Sequence, residues 1–107
     1  MLGMVGVDLV FIPEFQAQLD IDKTAFIDKA FNLPEISSLE IGHLAGLWAA
    51  KEAVYKAAKV APKSLKDIII THSKTGKASA RIGQQKFALS VSHHGDYAVA
   101  VAYRMSE

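Results

Sequence analysis

HLAGLWAAKEAVYKAAK, residues 43–59, decides the fold. The stretch has no proline, its one glycine (Gly46) lies near the start, and alanine recurs throughout, so propensity predicts a helix of about four turns. On a helical wheel, Leu44, Leu47, Val54, Tyr55 and Ala58 gather on one side as an apolar face. Glu52, Lys56 and Lys59 cluster on an adjoining face beside Ala45 and Ala49, where small residues leave room for a ligand. Lys51 falls near the middle of the apolar side, and is expected to lay its stem along the core and push its ammonium outward.

Before this helix, residues 4–11 alternate Val5, Val7, Leu9 and Phe11 with Met4, Gly6, Asp8 and Val10, the pattern of a strand buried on both faces. Pro13 suits the first turn of a following helix, and Phe15, Leu19, Phe26, Ile27 and Phe31 supply anchors for one or two short helical pieces before Pro34 interrupts. Beyond Pro62 the period changes: residues 67–71, 78–82, 87–92 and 97–104 read as four strands, with turns at Thr75-Gly76 and Gly95-Asp96. The small row Ala98, Ala100, Ala102 opposes Tyr97, Val99, Val101 and Tyr103. The class is α+β, a strand, then helices, then a meander, with the long helix packed on a mainly antiparallel sheet.

With 107 residues, the chain is expected to be one domain spanning 1–107. Twelve Lys and Arg against eleven Asp and Glu leave a formal charge of +1, too small a field for a nucleic-acid partner. The absence of cysteine removes thiolate chemistry, disulfides and cysteine-bound zinc. Residues 1–11 are apolar without a basic leader and are broken by Asp8, so they read as neither signal peptide nor membrane span, and the cytoplasm is the expected compartment.

Asp8 in its apolar strand needs donors, a cation or a metal, because an unpaired buried carboxylate is costly. Taken singly, it also reads as an acceptor of backbone N–H groups, and Glu52 as an ordinary i,i+4 partner of Lys56. His93 and His94 end a strand, where imidazoles bind phosphate or metal or simply cap their neighbours. Ser90 and Ser92 lack the G-x-S-x-G surroundings of a nucleophile elbow. The run 73–77 lacks the first glycine and the length of a phosphate-binding loop, so a hairpin turn explains it better.

In chain order, Gly6-Val7-Asp8, then Trp48-Ala49-Ala50-Lys51-Glu52-Ala53-Val54-Tyr55-Lys56, then Ser90-Val91-Ser92-His93 resemble the three motifs of the 4'-phosphopantetheinyl transferase superfamily. Leu44-Ala45-Gly46 ahead of the middle motif, and residues 31–36, look like the small holo-(acyl-carrier-protein) synthase group. The resemblance implies that fold and an enzyme of fatty acid biosynthesis that moves the 4'-phosphopantetheine arm of coenzyme A to a serine of an apo acyl carrier protein, releasing 3',5'-ADP. It further implies Asp8 and Glu52 as ligands of Mg2+, Lys56 as the lysine that contacts the phosphates and assists transfer, and His93 as a coenzyme A contact; Glu52 is then the better candidate to orient a metal-bound water as base, and Lys59 is expected to aid phosphate recognition more weakly.

A homotrimer with sites between subunits is implied too, with the alanine row of the last strand offering a flat face for packing against a neighbour or under the chain's own helix. Leu47 stands where the group has arginine, the run 57–62 lacks the group's glycine, and Glu14 stands among positions where basic residues dock the carrier. A transferase-like protein that binds coenzyme A or nucleotide without efficient transfer is therefore the competing reading.

Overall fold

The long helix forms as α3, Ile41–Ala57, starting and stopping earlier than propensity predicts. The start is set by Glu40, whose carboxylate accepts from Gly42 N and His43 N at 2.9 Å each and so satisfies two orphan donors of the first turn. The backbone turns extended at Ala58, so Lys59 lies off the helix and not on the face of Glu52 and Lys56. Arg104 closes this end by donating from a guanidinium nitrogen to Ala57 O at 3.1 Å.

The computed structural model describes residues 4–106; residues 1–3 and 107, which belong to the apolar N-terminal stretch and the single-domain span read above, lie outside it. Around α3 the chain places β1 (Val5–Phe11), α1 (Ile12–Ile21), α2 (Lys23–Ala30), β2 (Ile69–His72), β3 (Ala78–Ile82), β4 (Gln85–His94) and β5 (Tyr97–Arg104). The strands form one antiparallel sheet in the order β1-β5-β4-β3-β2. The meander is as the sequence predicts, except that β2 starts at Ile69 because residues Leu65–Asp67 wind into a short 3-10 turn. β4 also runs on through His94. Gly76 and Gly95 take positive φ at the two expected turns, and Gly83 does the same at a third.

One sheet face packs under α3. Ala98, Ala100 and Ala102 of β5 are fully buried in the same core as Ala45, Ala49, Ala53 and Ala57 of the helix, so the alanine row is covered by the chain's own helix and offers nothing to a neighbour. The approach is closest at Gly6, where an added Cβ would fall inside the shell of Ala53 O and 2.9 Å from Ala57 N.

The opposite face departs from the expectation that β1 is buried on both sides. Val5, Val7, Leu9 and Phe11 are 41–63% exposed, and their cross-strand partners Tyr103, Val101 and Tyr97 are open as well. Alternation with a period of two sends these side chains away from α3, and no other described element of the chain covers them.

Lys51 does not reach outward. It is 0% exposed, with its ammonium 2.7 Å from Glu35 Oε1, 3.1 Å from Leu65 O and over the Phe31 ring at 5.8 Å. Its pKa is lowered by burial, an effect opposed by Glu35. Glu35 also accepts from Asn32 N at 2.9 Å and Ile70 N at 2.8 Å, so both charges are satisfied. α3 is thus buried on the sheet side and again on the side facing the turns, whereas Tyr55, expected in the apolar face, is exposed. Replacing Glu35→Ala leaves a buried ammonium and two backbone donors unmatched, and should cost about 3–5 kcal/mol. Urea denaturation checks it; a midpoint within error of the parent would contradict the assignment.

Candidate active site

β1 carries Asp8 on its inner face between Gly6 and Val10, opposite Ala100 of β5. The small residues around it let the last turns of α3 come close, and Lys56 bridges the two elements. Its ammonium donates to Asp8 Oδ1 at 3.0 Å and to Val7 O at 3.0 Å. The Asp8 side chain is 16% exposed and that of Lys56 51%, so the pair has a sheltered anion and an accessible cation. Among the described residues the ion-pair partner of Lys56 is Asp8 and not Glu52, so the ordinary i,i+4 reading does not hold.

Glu52, one turn before Lys56, is half-buried. Burial raises its pKa, the Asp8 charge raises it further, and Lys56 pulls the other way. Asp8 and Glu52 line one cleft of about 460 Å³ whose walls include Phe11, Glu14, Phe15 and Trp48. Trp48, a turn ahead of Glu52 on α3, stacks obliquely on Phe26 at 5.0 Å and Phe15 at 6.0 Å between centroids, fixing that wall. Glu14 is a third carboxylate at the cleft. The sequence reading gave it only a part in partner electrostatics, although its place in the first turn after β1 was the signal that could have found it.

Two residues lie elsewhere. His93 fits against α3 where Gly46 leaves space, and its Nε2 donates to Gly42 O at 2.9 Å. It lines a cleft of about 190 Å³ with His43, Leu47 and His72, and a second of about 620 Å³ with Glu40 and Asp96. Lys59 donates its backbone N–H to Gln85 Oε1 at 2.8 Å and lines a separate cleft of about 260 Å³ with Arg104. The structure therefore puts Asp8 and Glu52 on one cleft, holds Lys56 against Asp8, and leaves His93 and Lys59 outside that cleft. Ser90 and Ser92 stand exposed on β4. The run 73–77 is a turn, closed by Gly76 N on Ser73 O at 2.8 Å and Ser73 N on Lys77 O at 2.9 Å.

Residues 4–102 match the model of the 4'-phosphopantetheinyl transferase superfamily. The holo-[acyl-carrier-protein] synthase of Mycobacterium ulcerans is 34% identical over 120 residues, covering 92% of each chain. Among solved structures, the Helicobacter pylori holo-[acyl-carrier-protein] synthase in complex with coenzyme A superposes with a TM-score of 0.86 at 26% identity, covering 95% of this chain and 100% of that one. The Chronobacterium ammoniagenes ACPS–CoA complex gives 0.78 at 30% identity and 97% coverage of both. The chain belongs to the 4'-phosphopantetheinyl transferase superfamily and, within it, groups with the holo-[acyl-carrier-protein] synthases.

Proposed function

We propose that this enzyme transfers the 4'-phosphopantetheine arm of coenzyme A to a serine of an apo acyl carrier protein and releases 3',5'-ADP. The observation that carries the reading is that Asp8 and Glu52 share one cleft while Lys56 is bound to Asp8, in a chain of this family. The serine oxygen attacks the β-phosphorus, the bond from that phosphorus to the bridging oxygen breaks, and 3',5'-ADP departs with the bond's electrons. Glu52 takes the proton that the hydroxyl gives up, a role helped by a carboxylate whose ionisation burial already makes costly. Lys56, held in place by Asp8 and Val7 O but half open to solvent, meets the negative charge spread over the phosphate oxygens.

The donor set fits Mg2+. Two carboxylates from different elements, Asp8 of β1 and Glu52 of α3, face one cleft, and the Asp8 charge raises the pKa of Glu52. That leaves positions for phosphate oxygens and water, as this ion prefers. When bound at Asp8 and Glu52, Mg2+ neutralises pyrophosphate charge. His93 and Lys59 are assigned to more distant parts of coenzyme A, reached from the neighbouring clefts.

Intact-mass measurement of apo carrier proteins incubated with the chain, coenzyme A and Mg2+ tests the reading; no added arm on any carrier would reject it. In the same assay Lys56→Ala should lower transfer about 100-fold, whereas Lys23→Ala, on the exposed start of α2, should leave it unchanged. Equal losses would point to a general charge effect. Coenzyme A binding without transfer would favour the second reading, which rests on Leu47 being buried in the core where the group has arginine, and on a chain that leaves α3 at Ala58 without a glycine.

The domain is taken as residues 1–107 and the compartment as the cytoplasm; no helix among the described residues is long and apolar enough to cross a membrane. We place the chain in a cyclic homotrimer, with the site completed by the neighbouring subunit. The support is the open apolar face of β1 and β5, a surface that a lone subunit leaves wet. Light scattering should report three chains for the parent and one for Val7→Asp with Val101→Asp. A monomeric parent with full transfer would defeat the assembly.

A further inference from the structure

α3 meets the sheet through alanines and glycines, which bring the backbones close but give few ridges to interlock. A smooth contact of this kind holds a helix near a sheet more firmly than it fixes the helix's rotation. Rotation matters here, because the setting of α3 about its axis decides whether Glu52 faces the cleft and Lys56 meets Asp8. On the far side of the helix a directional contact is available. Lys51, adjacent to Glu52, is fully buried and joined at 2.7 Å to Glu35. Glu35 ends another short 3-10 turn, Leu33–Glu35, where it accepts from Asn32 N, and it is tied to the edge strand β2 through Ile70 N. Lys51 also donates to Leu65 O in the second turn. One side chain of the helix is therefore fixed to three separate parts of the scaffold.

We propose that the Lys51–Glu35 pair is a positioning device that sets the rotation of α3 and thereby aims Glu52 and Lys56 at Asp8. Its effect on turnover rests on the transfer reading above; its effect on geometry does not. A buried ion pair is often a poor source of net stability and a good source of a unique register, which suits this role. The sheet side sets the distance between helix and strand and ties the two ends of α3 through Gly42 O and Ala57 O, and the pair fixes the angle midway, beside Glu52. Lys51 and Glu35 touch neither substrate nor reacting atoms, so both are positioning residues.

The test uses the full chain, with Lys51→Met removing the cation and Glu35→Asp drawing the carboxylate back while keeping both charges. Both are measured at a temperature where circular dichroism matches the parent. The folded Lys51→Met chain should lose about 100-fold in kcat while KM for coenzyme A stays within about threefold, because reacting groups are misaligned and binding groups remain. Glu35→Asp should lose about tenfold in kcat. Trp48 emission should move to longer wavelength as its packing on Phe15 and Phe26 changes, and a crystal structure should show Lys56 beyond hydrogen-bond reach of Asp8. A folded variant with parental kcat and Trp48 emission would overturn the proposal, as would a kcat that falls only with the folded fraction. If Lys51→Met does not fold, Glu35→Asp decides by the same criteria. If the parent transfers no arm, the transfer reading fails, and the Trp48 signal and the Lys56–Asp8 distance still decide this one.

Discussion

Glu52→Gln should abolish most transfer and leave the fold intact. The amide keeps the shape of the side chain but cannot take the serine proton, and it removes one of the two charged ligands proposed for Mg2+, so a loss of about 10²–10⁴ in kcat is expected. Stability should move the other way. The folded pKa of Glu52 lies above its ordinary value of 4.5, first through burial and then through the Asp8 charge. Below the unfolded value both states hold the proton and the residue costs nothing. As pH rises from there through the folded value, the unfolded chain gives up its proton more easily, so the folded state is penalised, and the penalty persists at neutral pH. Glutamine removes it. In chelator, the Tm of Glu52→Gln should therefore equal that of the parent at low pH and match or exceed it at pH 7. A variant with parental turnover would end the catalytic assignment, and one that is less stable only at neutral pH would contradict the sign of the shift.

Gly6→Ala should be the most damaging single methyl group in the chain. The added Cβ meets Ala53 O and Ala57 N, which are backbone atoms of α3 and cannot turn aside as a side chain would. Strand and helix must separate, opening a contact whose partners are fully buried alanines. Overpacking of this kind should cost about 3 kcal/mol or more, a fall in Tm of roughly 12–24 °C for a domain of this size. Because Gly6 lies two positions before Asp8 on the same face, the surviving folded fraction should also lose transfer. Gly76→Ala is the control: Gly76 has φ +86° with open space around it, so only backbone strain of about 1 kcal/mol is incurred. Equal thermal shifts for the two substitutions would contradict the close approach of β1 to α3 at Gly6.

Much of this was legible before any fold was known. The alanine-rich run 43–59 reads as a helix by propensity alone and forms one as Ile41–Ala57, and the change of period after Pro62 marks strands because side chains on a pleated backbone alternate. Asp8 stood out because a carboxylate in an apolar strand demands a partner. Glu52 and Lys56 stood out because they share a helix face with small residues. The order of the motifs carried the family.

The sequence by itself thus determined the elements, the meander and the identity of the residues that bear charge at the cleft, since each follows from local propensity, from side-chain spacing or from motifs shared with known relatives. Only the tertiary structure decided their partners. It gave Lys56 to Asp8 and not to Glu52, drew Lys51 inward to Glu35, put the alanines of β5 under α3, and left Val7 and Val101 open. It also set Lys59 off the end of the helix and His93 against Gly42, away from Asp8. The reason is that these contacts join residues far apart in the chain. Lys56 and Asp8 are 48 positions apart, and no local rule of spacing reports what a strand brings to a helix at that separation. Burial, charge and close approach are properties of the packed molecule, and they selected among arrangements that the local chemistry of the chain left equally open.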